Sequence, residues 1–289
     1  MTGGDTQILD DGRLVVCGEF VELLRANGLD TFEKIMAHAG GATMRSVPGR
    51  STVRIELHRP EGGALVAFLK RYGPEYLSFG LRLLRFLRWP GARDEARHEW
   101  NAIAQLRAAG FGTATPMAIG QQSTCGAVTR SFLLTAEITG GIAAHDHLRT
   151  LDARRRREFA LSIAELTRRF HGAGFAHKDY YLSHILVVKS ATGGPAHFFI
   201  DLQRLIRPRL FRERWRVKDL AALGYSAQCF GATRADLLRF YRACFGRKRL
   251  AADDRRLIRK IMARINALHR REPRYDVIWD QPGVHPPNV

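Results

Sequence analysis

The stretch that most restricts what this sequence can fold into runs from a long helical pattern, through a polar turn, into two apolar runs. Residues 152–172 repeat apolar side chains at helical spacing, with Phe159, Ile163, Leu166 and Phe170 on one face. His177-Lys178-Asp179-Tyr180-Tyr181-Leu182-Ser183-His184 follows, and then the apolar Ile185-Leu186-Val187-Val188. A second apolar run, 197–202, contains Asp201. The histidines bracket Asp179 as His-x-Asp-x4-His, so the turn concentrates ionisable groups between elements that carry the core.

Upstream the pattern changes. Residues 19–38 carry apolar positions at helical spacing (Phe20, Leu23, Leu24, then Phe32, Ile35, Met36), broken at Asn27-Gly28, with Asp30 or Thr31 able to cap the second piece. Residues 52–57 and 64–70 read as strands joined through Pro60-Glu61-Gly62-Gly63, a hairpin. Residues 79–89 are apolar with Arg82, Arg85 and Arg88 at steps of three. That segment reads as a basic amphipathic helix, either on a membrane surface or packed on its own domain. Residues 92–109 read as a helix stopped by Gly110, and 115–120 and 131–136 as strands. Beyond the polar turn, 217–245 and 251–271 are helical, and the tail from Pro273 is Pro-rich and irregular. Strands first and helices later predict an α+β fold of two lobes hinged near 136–141. Residues 1–42 are expected to form a helical extension, 43–136 a small antiparallel-sheet N-lobe with one helix, and 137–289 a mainly helical C-lobe.

Hydrophobic residues make up 45% of the 289, enough for a sizeable core. No apolar run approaches the roughly 20 residues that span a bilayer, and the polar, acidic start lacks a signal-peptide pattern. Cys17, Cys125, Cys229 and Cys244 have no paired metal spacing and read as reduced thiols. These features point to a cytoplasmic location. Lysines and arginines number 46 against 28 acidic residues, a net charge of +18. Arginine clusters fall in 154–157, 207–216, 247–249 and 255–260. They favour anionic partners, or else form a solvated basic surface.

Phosphoryl transfer needs a cation on the nucleotide phosphates, a carboxylate for metal and a carboxylate that orients the attacking hydroxyl. The chain has these in kinase order. Lys70 ends the apolar strand Val66-Ala67-Phe68-Leu69-Lys70, as the phosphate-pairing lysine does in Val-Ala-Ile-Lys. Glu99 lies in the next helix as its partner, with Glu95 one turn earlier as the substitute. Asp179 is the catalytic carboxylate, beside His177, and Asp201 suits magnesium, which prefers oxygen ligands. Taken singly, each has a plainer reading: a solvent lysine, a helix-surface charge, a capping carboxylate, a structural histidine. The order and spacing together select the protein-kinase-like fold.

The loop with Phe199-Ile200-Asp201-Leu202-Gln203-Arg204 resembles the lipopolysaccharide core heptose kinase family (WaaP/RfaP, within the Kdo/WaaP/InaA group). That family also ends the loop in His rather than Asn and carries Ile-Asp-Leu-x-Arg in place of Asp-Phe-Gly. Gly49-Arg50-Ser51-Thr52 resembles its phosphate-side turn, Phe68-Leu69-Lys70-Arg71-Tyr72 its lysine strand, and Ala96-Arg97-His98-Glu99-Trp100 its glutamate helix. Trp215-Arg216-Val217-Lys218-Asp219-Leu220 resembles the helix after the metal-binding Asp. The likeness spans roughly residues 15–245.

The resemblance implies ATP-dependent phosphorylation of a sugar hydroxyl, a heptose, in the lipopolysaccharide inner core, with Mg2+ as cofactor. It implies Asp179, His177 and His184 as catalytic residues and Lys70, Glu99, Gly49 and Arg50 on the nucleotide. Asp201 and His184 would take the metal, and Asp219 would brace the loop. The expected partners are ATP, an anionic glycolipid and the cytoplasmic face of the inner membrane, at its periphery, rather than nucleic acid. The chain departs from protein kinases in lacking Gly-x-Gly-x-x-Gly and Ala-Pro-Glu, and Arg50 or Arg45 would add charge at the phosphate turn. His184 is a soft ligand for magnesium, so it contacts phosphate, holds Asp179, or leaves the site with one metal. Two alternatives carry the same residues: a kinase of this fold acting on another small molecule or protein, and a pseudokinase that serves as a basic binding module.

Overall fold

The computed structural model describes residues 5–73, 94–124, 127–189 and 194–271. The expected basic helix over 79–89, the tail from 273 and Cys125 lie outside the described residues. The described residues divide into two compact units, one of residues up to 108 with 113–138, the other of 109–112 with 139–271.

The first unit is built on a seven-stranded sheet. Its strands are β1 (Thr6–Leu9), β2 (Leu14–Cys17), β3 (Ala42–Val47), β4 (Arg50–His58), β5 (Ala64–Tyr72), β7 (Pro116–Thr124) and β8 (Ala127–Ala136), in the order β1-β2-β7-β8-β5-β4-β3. Every neighbouring pair is antiparallel. Alternation in β5 buries Ala67 and Leu69 on one face and leaves Phe68 and Lys70 on the other. At Gly120 an added Cβ would lie 2.2 Å from the Phe132 ring, so only glycine lets Phe132 pack there, 5.8 Å from Phe32. Two short helices, α1 (Val21–Ala26) and α2 (Phe32–Ala37), bury Leu23, Leu24, Phe32 and Ile35, and the Thr31 hydroxyl caps the second. The longer α3 (Glu95–Ala108) starts under Asp94, whose carboxylate accepts from Arg97 N–H at 3.0 Å. Ser131 and Gln121 also donate to Asp94, at 2.6 and 2.7 Å, which pins the helix to β8 and β7.

The purely helical extension expected over 1–42 is corrected. Before α1, β1 and β2 form a hairpin, and Leu14, Val15 and Val16 pair with Gly120, Ile119 and Ala118. Leu14 and Val16 become fully buried by extending the sheet, which a helix over four residues would not achieve.

The second unit is mainly helical. Its helices are α4 (Ala144–Arg149), α5 (Ala153–Gly172), α6 (Arg212–Cys229), α7 (Arg234–Phe245) and α8 (Ala252–Arg271). Asp152 caps α5, and a capping box from Thr233 and Asp236 starts α7. A small sheet has the order β6-β11-β10-β9, with β6 (Gly112–Thr113), β9 (Ile142–Ala143), β10 (Ile185–Val188) and β11 (Ala196–Phe199). An aromatic cluster ties it to α5. Phe170 stacks on Tyr180 at 5.5 Å and meets Phe199 at 4.7 Å. The Tyr180 hydroxyl bonds Thr167 at 2.9 Å, so this buried polar group is satisfied. Among the described residues no helix is long and apolar enough to cross a membrane.

Candidate active site

The polar turn leaves α5 after Gly172 and is held from below. The carboxylate of Asp219, fully buried in α6, accepts the backbone N–H of His177 at 2.9 Å and of Lys178 at 2.8 Å. The His171 ring reaches the same carboxylate at 3.2 Å. Lys178 takes a φ of +71°, a bend that brings both N–H groups onto one acceptor.

Hairpin register brings the next groups in. Ile185 pairs with Phe199 and Val188 with Ala196, and Ile200 N–H donates to His184 O at 3.0 Å. Asp201, the next residue, therefore arrives beside the end of the loop. It adopts φ 53°, ψ 60°, a left-handed backbone that costs an L-residue about 1–2 kcal/mol and that this hairpin holds in place. His184 Nδ1 donates to Asp179 O at 2.8 Å, which leaves Nε2 as the nitrogen facing Asp201 Oδ2, 3.8 Å away. An imidazole nitrogen and a carboxylate thus face each other at the end of the loop. Among the described residues no group of three or more His, Cys, Asp or Glu side chains is placed to hold a metal ion.

His177 is fully buried and donates through Nε2 to Ile200 O at 3.1 Å. Burial, with His184 adjacent, holds its pKa below the ordinary histidine value and keeps the ring neutral. The ring has no solvent access, and its hydrogen bond goes to backbone rather than toward the open side of the loop. It fastens the loop to the strand end that carries Asp201.

Two cations whose charge acts on Asp179 carry no role in the sequence reading. Arg204 Nη1 donates to Asp179 Oδ1 at 2.9 Å. Lys218 is half-buried, and its pKa is pushed down to about 8 by burial and by Arg204, against the pull of Asp179. The signals available were motif positions to which no role was given: Arg204 closes Ile-Asp-Leu-x-Arg three residues after Asp201, and Lys218 immediately precedes Asp219.

The first unit carries a separate pair. Lys70 Nζ meets Glu99 Oε1 at 2.7 Å, and both are largely shielded from solvent. The bond runs to Glu99 rather than Glu95 because position 99 shares the buried face of α3 with Trp100 and Ile103. Thr52 opposes Lys70 across β4 and β5, and Arg50 opposes Tyr72. Pro48-Gly49 therefore forms a two-residue turn near the lysine end of the hairpin, with Gly49 at φ +69°. The Arg50 guanidinium is buried 5.6 Å from the centre of the Tyr72 ring.

A strand lysine paired with a helix glutamate, and a braced loop carboxylate beside a second strand-end carboxylate, define a kinase-like α+β protein. The comparisons give the family. Residues 81–244 match the lipopolysaccharide kinase (Kdo/WaaP) family. The lipopolysaccharide core heptose(I) kinase WaaP of Pseudomonas aeruginosa is 31% identical over 268 residues, covering 86% of this chain and 94% of that protein. The protein of the same description from Escherichia coli K12 is 31% identical over 228 residues, covering 76% of this chain and 83% of its own length. A solved structure described as WaaP in complex with acyl carrier protein superposes with a TM-score of 0.66 and 29% identity, covering 89% of this chain and 99% of that one. The chain belongs to the lipopolysaccharide kinase (Kdo/WaaP) family and is a kinase.

Proposed function

We propose that this chain transfers the γ-phosphoryl group of ATP to a sugar hydroxyl, a heptose, of the lipopolysaccharide inner core. The observation that carries this reading is the joining of Asp179, His184 and Asp201 at one corner, through the 2.8 Å and 3.8 Å contacts of His184. Residues 43–136 would bind nucleotide, with Lys70, oriented by Glu99, on the phosphates and the Gly49-Arg50 turn alongside. Residues from 137 onward would bind the acceptor. The acceptor oxygen forms a bond to the γ-phosphorus as the bond to the bridging oxygen of ADP breaks, and Asp179 takes the hydroxyl proton. Arg204 keeps the Asp179 carboxylate oriented and offers positive charge to the transferring group.

Asp201 would hold a divalent cation, magnesium in this reading, through its carboxylate oxygens, with the Nε2 of His184 beside it. Bound there, the ion would neutralise phosphate charge. The location proposed is the cytoplasmic face of the inner membrane. Incubation with labelled ATP and core glycolipid, followed by mass analysis of the product, tests the reading. The wild type should add one phosphate and Asp179→Asn should add none; equal turnover by both would refute it.

A second reading concerns a partner. The solved relative is described as a complex with acyl carrier protein. In the helical unit here, a cavity of about 370 Å³ lies among Phe159, Ile163, Leu220, Leu223, Ile261 and Ile265. Such a cavity suits an acyl chain, and we propose that an acylated carrier protein binds this chain through it. Acylated carrier protein should raise the melting temperature more than the unacylated form. Equal shifts would count against the cavity as the acyl site.

A further inference from the structure

Residues 207–216 read Arg-Pro-Arg-Leu-Phe-Arg-Glu-Arg-Trp-Arg, five arginines with one glutamate. Leu210 is 73% and Phe211 77% exposed, the most exposed large apolar side chains among the described residues. Phe211 also sits at φ 54°, ψ 36°, a left-handed conformation that aromatic residues rarely adopt, at the entry to α6. The tip is closed by Arg212 Nε donating to Pro208 O at 3.3 Å. Glu213 is paired with Lys260 of α8 at 2.5 Å, so the acidic charge within the run is already matched. α8 adds the exposed Arg255, Arg256 and Arg259, of which Arg256 pairs with Asp253. An apolar tip ringed by arginines fits a surface that is anionic outside and apolar within.

The tip lies one helical turn from a contact with the loop described above. Trp215 lies four residues after Phe211, roughly 6 Å along the helix axis. The Lys178 ammonium stands 5.3 Å from the centre of the Trp215 ring, and Lys178 immediately precedes Asp179. Arg214 lies 5.4 Å from the same ring.

We propose that Leu210 and Phe211, with Arg207, Arg209, Arg212 and Arg214, form a docking surface for an anionic lipid bilayer that holds the Asp179 loop at the headgroup level. The partner is the lipid surface itself. The readout is vesicle partition, which is independent of phosphoryl transfer, so the failure of this inference and the failure of the proposed reaction are distinguishable.

The test is flotation of the full chain with phosphatidylcholine vesicles, with and without phosphatidylglycerol. The wild type should float with the anionic vesicles, and less so as salt rises. Leu210→Ser combined with Phe211→Asn should lower the partition about tenfold, since asparagine tolerates the left-handed backbone and both replaced side chains face solvent. Arg209→Gln with Arg212→Gln should weaken it while leaving any residual binding less sensitive to salt. Circular dichroism melts of both variants should match the wild type. Equal binding to neutral and anionic vesicles would overturn the proposal. So would unchanged partition of the first double variant, or retained partition together with loss of acyl carrier protein binding, which would mark the tip as a protein contact.

Discussion

At the scale of the residue, Arg204 and His177 act on the same loop in different ways. Arg204 bonds Asp179 at 2.9 Å from a partly exposed position, so the pair contributes about 0.2–1 kcal/mol to folding. Arg204→Gln should therefore leave the urea midpoint nearly unchanged while lowering kcat about a hundredfold. Unaltered kcat would remove Arg204 from the site. His177 acts through burial. Its pKa lies below the ordinary value in the folded chain, while the unfolded chain protonates near pH 6.5. Below that pH the unfolded state binds more protons, so stability present above about 6.5 is lost as pH falls. His38, His147 and His197 shift the same way, each chiefly through burial. Urea titrations should give a lower midpoint at acidic pH than at neutral pH, and His177→Asn should flatten the slope; an unchanged slope would assign the effect to the other histidines. His-x-Asp was plain in the sequence, but His177's part was not, because the backbone oxygen it holds belongs to Ile200, 23 residues on.

At the scale of the element, α6 positions the site by offering one carboxylate to two consecutive backbone N–H groups. Asp219→Asn keeps the volume but turns an amide NH2 toward at least one of those donors. The expected loss is about 3 kcal/mol of stability, read by urea unfolding, together with reduced turnover. A variant as stable as the wild type would mean that the loop holds itself. The elements were not equally legible. α5 and α8 announce themselves through long apolar faces, and β4 with β5 through a turn between two apolar runs; the single helical stretch expected over 217–245 is instead α6 and α7, parted where Gly231 takes φ +91°. β1 and β3 do not, because they are edge strands: β1 is mostly exposed and β3 buries no side chain fully, so neither carries an inside-outside alternation. β2 is four residues long and gains its meaning from pairing with β7, about a hundred residues away.

At the scale of the whole molecule, a ligand that binds only the folded chain stabilises it. ATP at about a hundredfold over its Kd should add about 2.7 kcal/mol and raise the melting temperature. Lys70→Met should reduce that increment, measured against the variant's own melting temperature because removing the lysine leaves the Glu99 charge buried. An undiminished increment would place the nucleotide elsewhere. The sequence by itself determined the α+β class, the order of lysine, glutamate and two aspartates, and the resemblance to a kinase family, since local periodicity and spacing are properties of short segments. Only the tertiary structure decided that Arg204 bonds Asp179, that His184 holds the loop through Asp179 O, and that burial draws Lys218 down to about 8. These depend on strand register, helix rotation and desolvation, which exist only once residues distant in sequence have been packed together.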